Sequence, residues 1–114
     1  MLIDHRTYLC RPGMIPAQLK LYGELGFPVQ LRYMGEPLCY LVAESGALNT
    51  LVHAWVYESA ADREQKRARM MQDPDWKHFL SENAKAGNVI QQTTSLMTPA
   101  PFAPKMSMPK IHSK

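Results

Sequence analysis

Leu51-Val52-His53-Ala54-Trp55-Val56-Tyr57-Glu58 is the stretch on which the fold turns. Its even positions Val52, Ala54 and Val56 are small or apolar, while its odd positions His53, Trp55 and Tyr57 carry an imidazole, an indole and a phenol. Such alternation belongs to a strand whose two faces do different jobs. The Val52, Ala54, Val56 face reads as core, and the aromatic face as a wall against which something is held. Downstream, Ser59 is a plausible N-cap with Asp62 three residues on, and a charged helical segment runs to about Gln72. Asp73-Pro74-Asp75-Trp76 then ends one helix and caps the next, whose Trp76, Phe79, Leu80, Asn83 and Ala84 share a face before Gly87-Asn88 stops it. Val89 to Leu96, β-branched and threonine-rich, is a final strand.

Upstream, Leu2 to Cys10 is rich in strand formers and ends at Arg11-Pro12-Gly13. Ile15, Leu19 and Tyr22 recur at helical spacing, with Gly26 and Pro28 expected to close that helix and Val29 to Tyr33 adding a further turn. Gly35-Glu36-Pro37 opens a strand over Leu38 to Ala43, and Glu44-Ser45-Gly46 is the break before the decisive stretch. The order is β-α-β-β-α-β. It predicts an α+β, ferredoxin-like fold: a four-stranded antiparallel sheet with helices on one face. The other face would be bare and, with Trp55 and Tyr57 on it, apolar enough to pair with a second copy in a two-fold homodimer.

At 114 residues the chain makes one domain, read as residues 1–104, followed by a flexible basic tail over 105–114. Lys and Arg total 13 against 10 Asp and Glu, but Lys105, Lys110 and Lys114 account for the difference, so the body is neutral. No basic face interleaved with aromatics is seen, which argues against nucleic acid as a partner. Arg63, Lys66, Arg67 and Arg69 read as the solvated face of a helix. Cys10 and Cys39 are far apart and read as reduced thiols. No apolar run approaches the roughly 20 residues a membrane helix needs, and a strand pattern begins almost at once. The chain is therefore expected to be cytoplasmic, without a membrane partner.

Several short motifs in order resemble the NIPSNAP family, a branch of the dimeric α+β barrel superfamily. They are His5-Arg6-Thr7-Tyr8 with Pro12-Gly13, Val52-His53-Ala54-Trp55 with Tyr57, Asp73-Pro74-Asp75-Trp76, and Pro99-Ala100-Pro101-Phe102. The resemblance covers Ile3 to about Pro104. It implies dimerisation through the sheets and a cavity in each protomer between sheet and helices; it implies no particular activity.

His53 is the sharpest candidate for chemistry, since a mid-strand imidazole has a tunable pKa, though a buried histidine satisfied by one hydrogen bond is the plainer reading. His5 on the first strand would approach it if those strands are neighbours. Two imidazoles without a third ligand make no metal site, and neither metal nor cofactor is expected. Trp55 and Tyr57 would suit a flat ligand or serve as interface or core. Tyr8 and Arg6 take the opposite register to His5, so all three cannot face one cavity. Arg32 and Tyr33 are placed at a pocket mouth or in solvent, and Asn49 at a pocket rim or simply in a turn. The ligand-binding candidates are thus His5, Tyr8, Arg32, Asn49, His53, Trp55 and Tyr57. No phosphate loop or nucleophilic triad accompanies them. The expected function is a homodimeric protein binding a small apolar or aromatic molecule. The alternatives are a cofactor-independent or haem-related monooxygenase-like enzyme, and an interaction module that uses the proline-rich tail.

Overall fold

The computed structural model describes residues 1–112; Ser113 and Lys114, the end of the expected tail, lie outside the described residues. Four strands, β1 (Leu2–Cys10), β2 (Cys39–Val42), β3 (Thr50–Tyr57) and β4 (Val89–Met97), form one antiparallel sheet in the order β2-β3-β1-β4. Helices α1 (Ile15–Leu21), α2 (Phe27–Met34), α3 (Ala60–Met71) and α4 (Pro74–Ala86) complete the α+β, ferredoxin-like arrangement. None of the described helices is long and apolar enough to cross a membrane.

Local chemistry sets the helix ends. The Ser59 hydroxyl accepts from the Asp62 amide at 3.1 Å, and the Asp73 carboxylate accepts from the Asp75 amide at 2.8 Å with Pro74 in the first turn. Gly87, at φ 61°, takes the left-handed conformation that ends α4. Between α1 and α2 the expected break is absent. Tyr22–Gly26 widens into a π-helical segment that carries the chain straight into α2. Pro28 is tolerated there because it falls in the first turn, where an amide donor is not required.

Register decides which side chains see the helices. Leu2 pairs with Tyr57, Asp4 with Trp55, Arg6 with His53 and Tyr8 with Leu51, so these residues share one face. Trp55 and Tyr57 are 1% and 0% exposed and pack in the core with Tyr22, Val29, Met34, Met70, Trp76 and Phe79. This corrects the expectation that they occupy the open face. The gap between helices and sheet has to be filled to close-packed density, and the indole and phenol supply the volume that Val52 and Ala54 lack. The opposite face carries Ile3, His5 and Thr7 beside Val56, Ala54 and Val52.

The chain after β4 returns to the helices. The Glu36 amide donates to the Lys110 carbonyl at 3.3 Å, and the His112 amide donates to that of Leu31 at 3.0 Å. Gly35, at φ 76°, permits the close approach: a Cβ there would lie 2.8 Å from the Lys110 carbonyl oxygen. The segment read as a loose tail is thus hydrogen-bonded through the His112 backbone to α2 and through the Lys110 backbone to the turn that follows it.

Two glycines of the π-helical segment separate backbone propensity from packing. A Cβ on Gly26 would lie 2.8 Å from the Tyr22 ring and 3.1 Å from the Phe79 ring, whereas one on Gly23 meets nothing within 4 Å. Gly26→Ala is expected to destabilise the fold by about 1–3 kcal/mol. Gly23→Ala should stabilise it by about 0.5–1 kcal/mol, both read from urea unfolding midpoints.

Candidate functional site

A cavity of about 220 Å³ lies between the sheet and the helices. Arg6 and Tyr8 of β1, Tyr40 of β2, His53 of β3 and Gln92 of β4 border it from the sheet side. Gln18, Tyr22 and Gln30 reach it from the first helical stretch, and Arg67, Trp76, Phe79 and Asn83 from α3 and α4. Period-2 projection from neighbouring strands explains the sheet side, because Arg6, His53 and Tyr40 occupy one lateral row.

His53 is 2% exposed and closely packed by aromatics. The Tyr40 ring stacks on its imidazole at 4.4 Å and 12°, and Tyr8 meets it edge-on at 4.7 Å. Tyr22 extends the stack, 5.0 Å from Tyr40. The Trp55 indole N–H donates to His53 Nδ1 at 2.8 Å, which places the proton of the neutral ring on Nε2. That Nε2 has no hydrogen-bond partner among the described residues. Burial, followed by the nearby Arg6 guanidinium, pushes the His53 pKa down to about 4. At neutral pH the ring is therefore an uncharged donor with its basic nitrogen already occupied.

Charge is concentrated beside it. Arg6 grips the fully buried Asp4 carboxylate through Nε at 3.1 Å and Nη2 at 3.2 Å, and Arg63 of α3 adds a third bond at 2.9 Å. These guanidinium bonds hold the Asp4 carboxyl below its ordinary range in spite of burial, which acts in the opposite direction. Amides order the far end of the cavity: Gln18 donates to Asn83 at 3.0 Å, Asn88 donates to Gln18 at 3.4 Å, and the Tyr22 hydroxyl donates to Gln30.

Of the seven sequence candidates, Tyr8 and His53 line this cavity, and Trp55 supports it from beneath by orienting His53. Tyr57 is core; its buried hydroxyl has no partner among the described residues and its pKa is pushed up to about 12, first by burial. His5 lies opposite Ala54 and Ser95 on the other sheet face, so it does not approach His53 even though β1 and β3 are neighbours. Asn49 is a turn residue at φ 66° whose carbonyl accepts from the Cys10 amide at 2.8 Å. Arg32 pairs with Asp75 at 3.1 Å and Asp73 at 3.6 Å, tying α2 to the start of α4, and lines a separate groove that includes Lys110 and His112.

The basic run of α3 is also more than a solvated face. Arg63 reaches Asp4, Arg67 borders the cavity and Lys66 lies 5.8 Å from the Tyr57 ring centre. The i,i+4 spacing of Arg63 and Arg67, continued by Met70, was the available signal that polar residues sit on the inward stripe. Tyr40, Gln18, Gln30 and Asn83 had no comparable local signature. Among the described residues, no group of three or more His, Cys, Asp or Glu is disposed to hold a metal ion.

The NIPSNAP family model matches residues 3–104. The chain belongs to the NIPSNAP family. It is 35% identical over 71 residues to a NipSnap homolog from Dictyostelium discoideum, an alignment covering 62% of this chain and 31% of that protein. The NIPSNAP chain thus spans about a third of the length of that curated relative. A crystal structure of a NIPSNAP family protein of unknown function from Agrobacterium tumefaciens is 37% identical, covers 93% of this chain and 94% of its own, and superposes with a TM-score of 0.84. An antibiotic biosynthesis monooxygenase at 19% identity and a TM-score of 0.59, covering 89% of this chain and all of its own, shares the fold.

The His53 shift has a defined consequence for stability. As pH falls from 6.5 to about 4 the unfolded chain takes up a proton that the folded chain refuses, so this contribution is complete above the upper value and is lost across that window. The unfolding free energy should drop by about 3 kcal/mol over it, and His53→Gln should flatten the slope when urea midpoints are followed against pH.

Proposed function

We propose that this NIPSNAP protein is a homodimeric small-molecule binding protein that holds one flat, partly aromatic molecule in the cavity of each protomer. The observation that carries the reading is the buried, neutral His53, which borders a cavity rich in phenols and amides and whose Nε2–H has no partner among the described residues. A buried unsatisfied donor costs about 1–3 kcal/mol, which a ligand acceptor would offset. Tyr8, Tyr22 and Tyr40 offer ring edges to the face of a planar body. The cavity is more polar than a site for a purely apolar molecule requires, and this favours an aromatic ligand bearing polar groups.

Pairing through the sheet is supported by Leu41 and Met97, which lie on the open face opposite Val52 and Ile3 and are 56% and 45% exposed, and by β4, most of whose residues are exposed. Exposed apolar strands of this kind are commonly covered by a second copy. An enzymatic reading assigns His53 the part of hydrogen-bond donor to a developing oxyanion, since Nδ1 is engaged by Trp55 and unsuited to act as a base. Partner docking by the proline-rich segment has less support, because Lys110 already bonds to Glu36 just past α2 and His112 to Leu31 within it.

Native mass spectrometry of freshly purified protein tests the principal reading. A dimer carrying one small molecule per protomer is expected, and Tyr40→Ala should release that mass while the dimer persists. A monomer refutes the pairing. Extra mass retained equally by Tyr40→Ala and His53→Ala refutes the placement of the ligand.

A further inference from the structure

Three guanidinium groups gather at one side of the cavity around a single carboxylate. Asp4 is completely buried, and both of its oxygens are taken: Arg6 binds in the two-pronged manner and Arg63 adds to one of them. Arg67, one helical turn beyond Arg63, borders the cavity and forms no ion pair among the described residues. Among the described residues, those lining the cavity include no Asp or Glu, and Arg6 and Arg67 are the only ionised ones. Partial withdrawal of Arg67 from water, followed by repulsion from Arg6, weakens its hold on its proton. A guanidinium in that position is short of a counter-charge that Asp4 cannot supply.

Resting on the small-molecule reading above, we infer that the ligand is an aromatic carboxylate, its carboxylate received by Arg67 and its ring face set against the edges of Tyr8, Tyr22 and Tyr40 beside His53. A planar guanidinium presents donors in a fork that matches a carboxylate, so two parallel hydrogen bonds form where a neutral amide of the same shape offers one acceptor. The aromatic wall provides the apolar complement: Tyr40 is stacked between Tyr22 at 5.0 Å and His53 at 4.4 Å, so ring edges are what it offers a ligand. A volume of about 220 Å³ is below the roughly 300–1,000 Å³ of pockets for drug-sized ligands, which limits the acid to about one ring.

Benzoate and benzamide are matched probes, flat and nearly equal in size, that differ in charge. Each would be titrated into the full-length, ligand-stripped protein while nitrogen-15 NMR follows the Arg67 side chain, the His53 ring and the backbone. Benzoate is expected to bind ten- to a hundredfold more tightly than benzamide, on the order of one charge-assisted hydrogen-bond pair, and to shift the Arg67 and His53 signals. Arg67→Gln should reduce benzoate to the affinity of benzamide and leave benzamide unchanged, whereas Arg67→Lys should keep part of the preference. Equal affinities in the wild-type protein overturn the anionic ligand and leave the cavity reading standing. Acetate binding as tightly as benzoate overturns the aromatic requirement. Failure of both aromatic probes to perturb the cavity signals overturns this inference together with the reading on which it rests.

Discussion

The Asp4 carboxylate, buried to zero exposure and held by Arg6 and Arg63, is the interaction on which the arrangement of this protein depends. It joins the central strand β1 to α3 across the core. A buried charge is stable only with its partners in place, so the bond to Arg63 fixes both the azimuth of α3 and its height above the sheet. With α3 set that way, Met70 enters the core next to Trp55 and Tyr57, and Arg67 is turned toward the cavity. The same carboxylate anchors Arg6, whose Nη1 reaches the Tyr8 hydroxyl at 3.4 Å. Core packing and cavity electrostatics therefore have a common origin.

A second constraint runs along β3. His53 and Trp55 are two residues apart on one face, and the indole N–H selects the tautomer of the imidazole. Burial and the Arg6 charge then keep that imidazole neutral. The site that results is a donor-rich, aromatic chamber beside an excess of positive charge, with no basic group among its described lining residues free to accept a proton from a neutral ligand. Such a chamber is suited to holding and polarising an acceptor. The likeness to an antibiotic biosynthesis monooxygenase concerns the fold, and one fold accommodates many chemistries.

Much of the architecture was legible in the chain. The period-2 alternation of β3, the Ser59 and Asp73 caps and the stop at Gly87 are local features, and each appears where local rules place it. Reading was least secure where two local rules compete. Gly26 and Pro28 are both helix breakers by propensity, yet the helix continues: Gly26 closes a π-helical segment where Tyr22 and Phe79 leave no room for a larger side chain, and Pro28 falls in the first turn of α2. Of the site, His53 and Tyr8 were accessible from strand pattern. Gln18, Tyr40, Arg67 and Asn83 were not, since each is an ordinary residue of its own element and becomes a wall only when four elements converge.

By itself the sequence determined the element order, the capping, the alternation of β3 and membership of the NIPSNAP family, because these are written in spacings of a few residues or in motifs spread along the chain. Tertiary structure alone decided which face of the alternation meets the helices. A strand with two distinct faces is symmetric to any local rule; the choice rests on the volume α3 and α4 must fill and on the single buried carboxylate that aligns β1 beneath them. That choice put Trp55 and Tyr57 in the core, separated His5 from His53, and brought Arg6, Arg67 and His53 to one cavity.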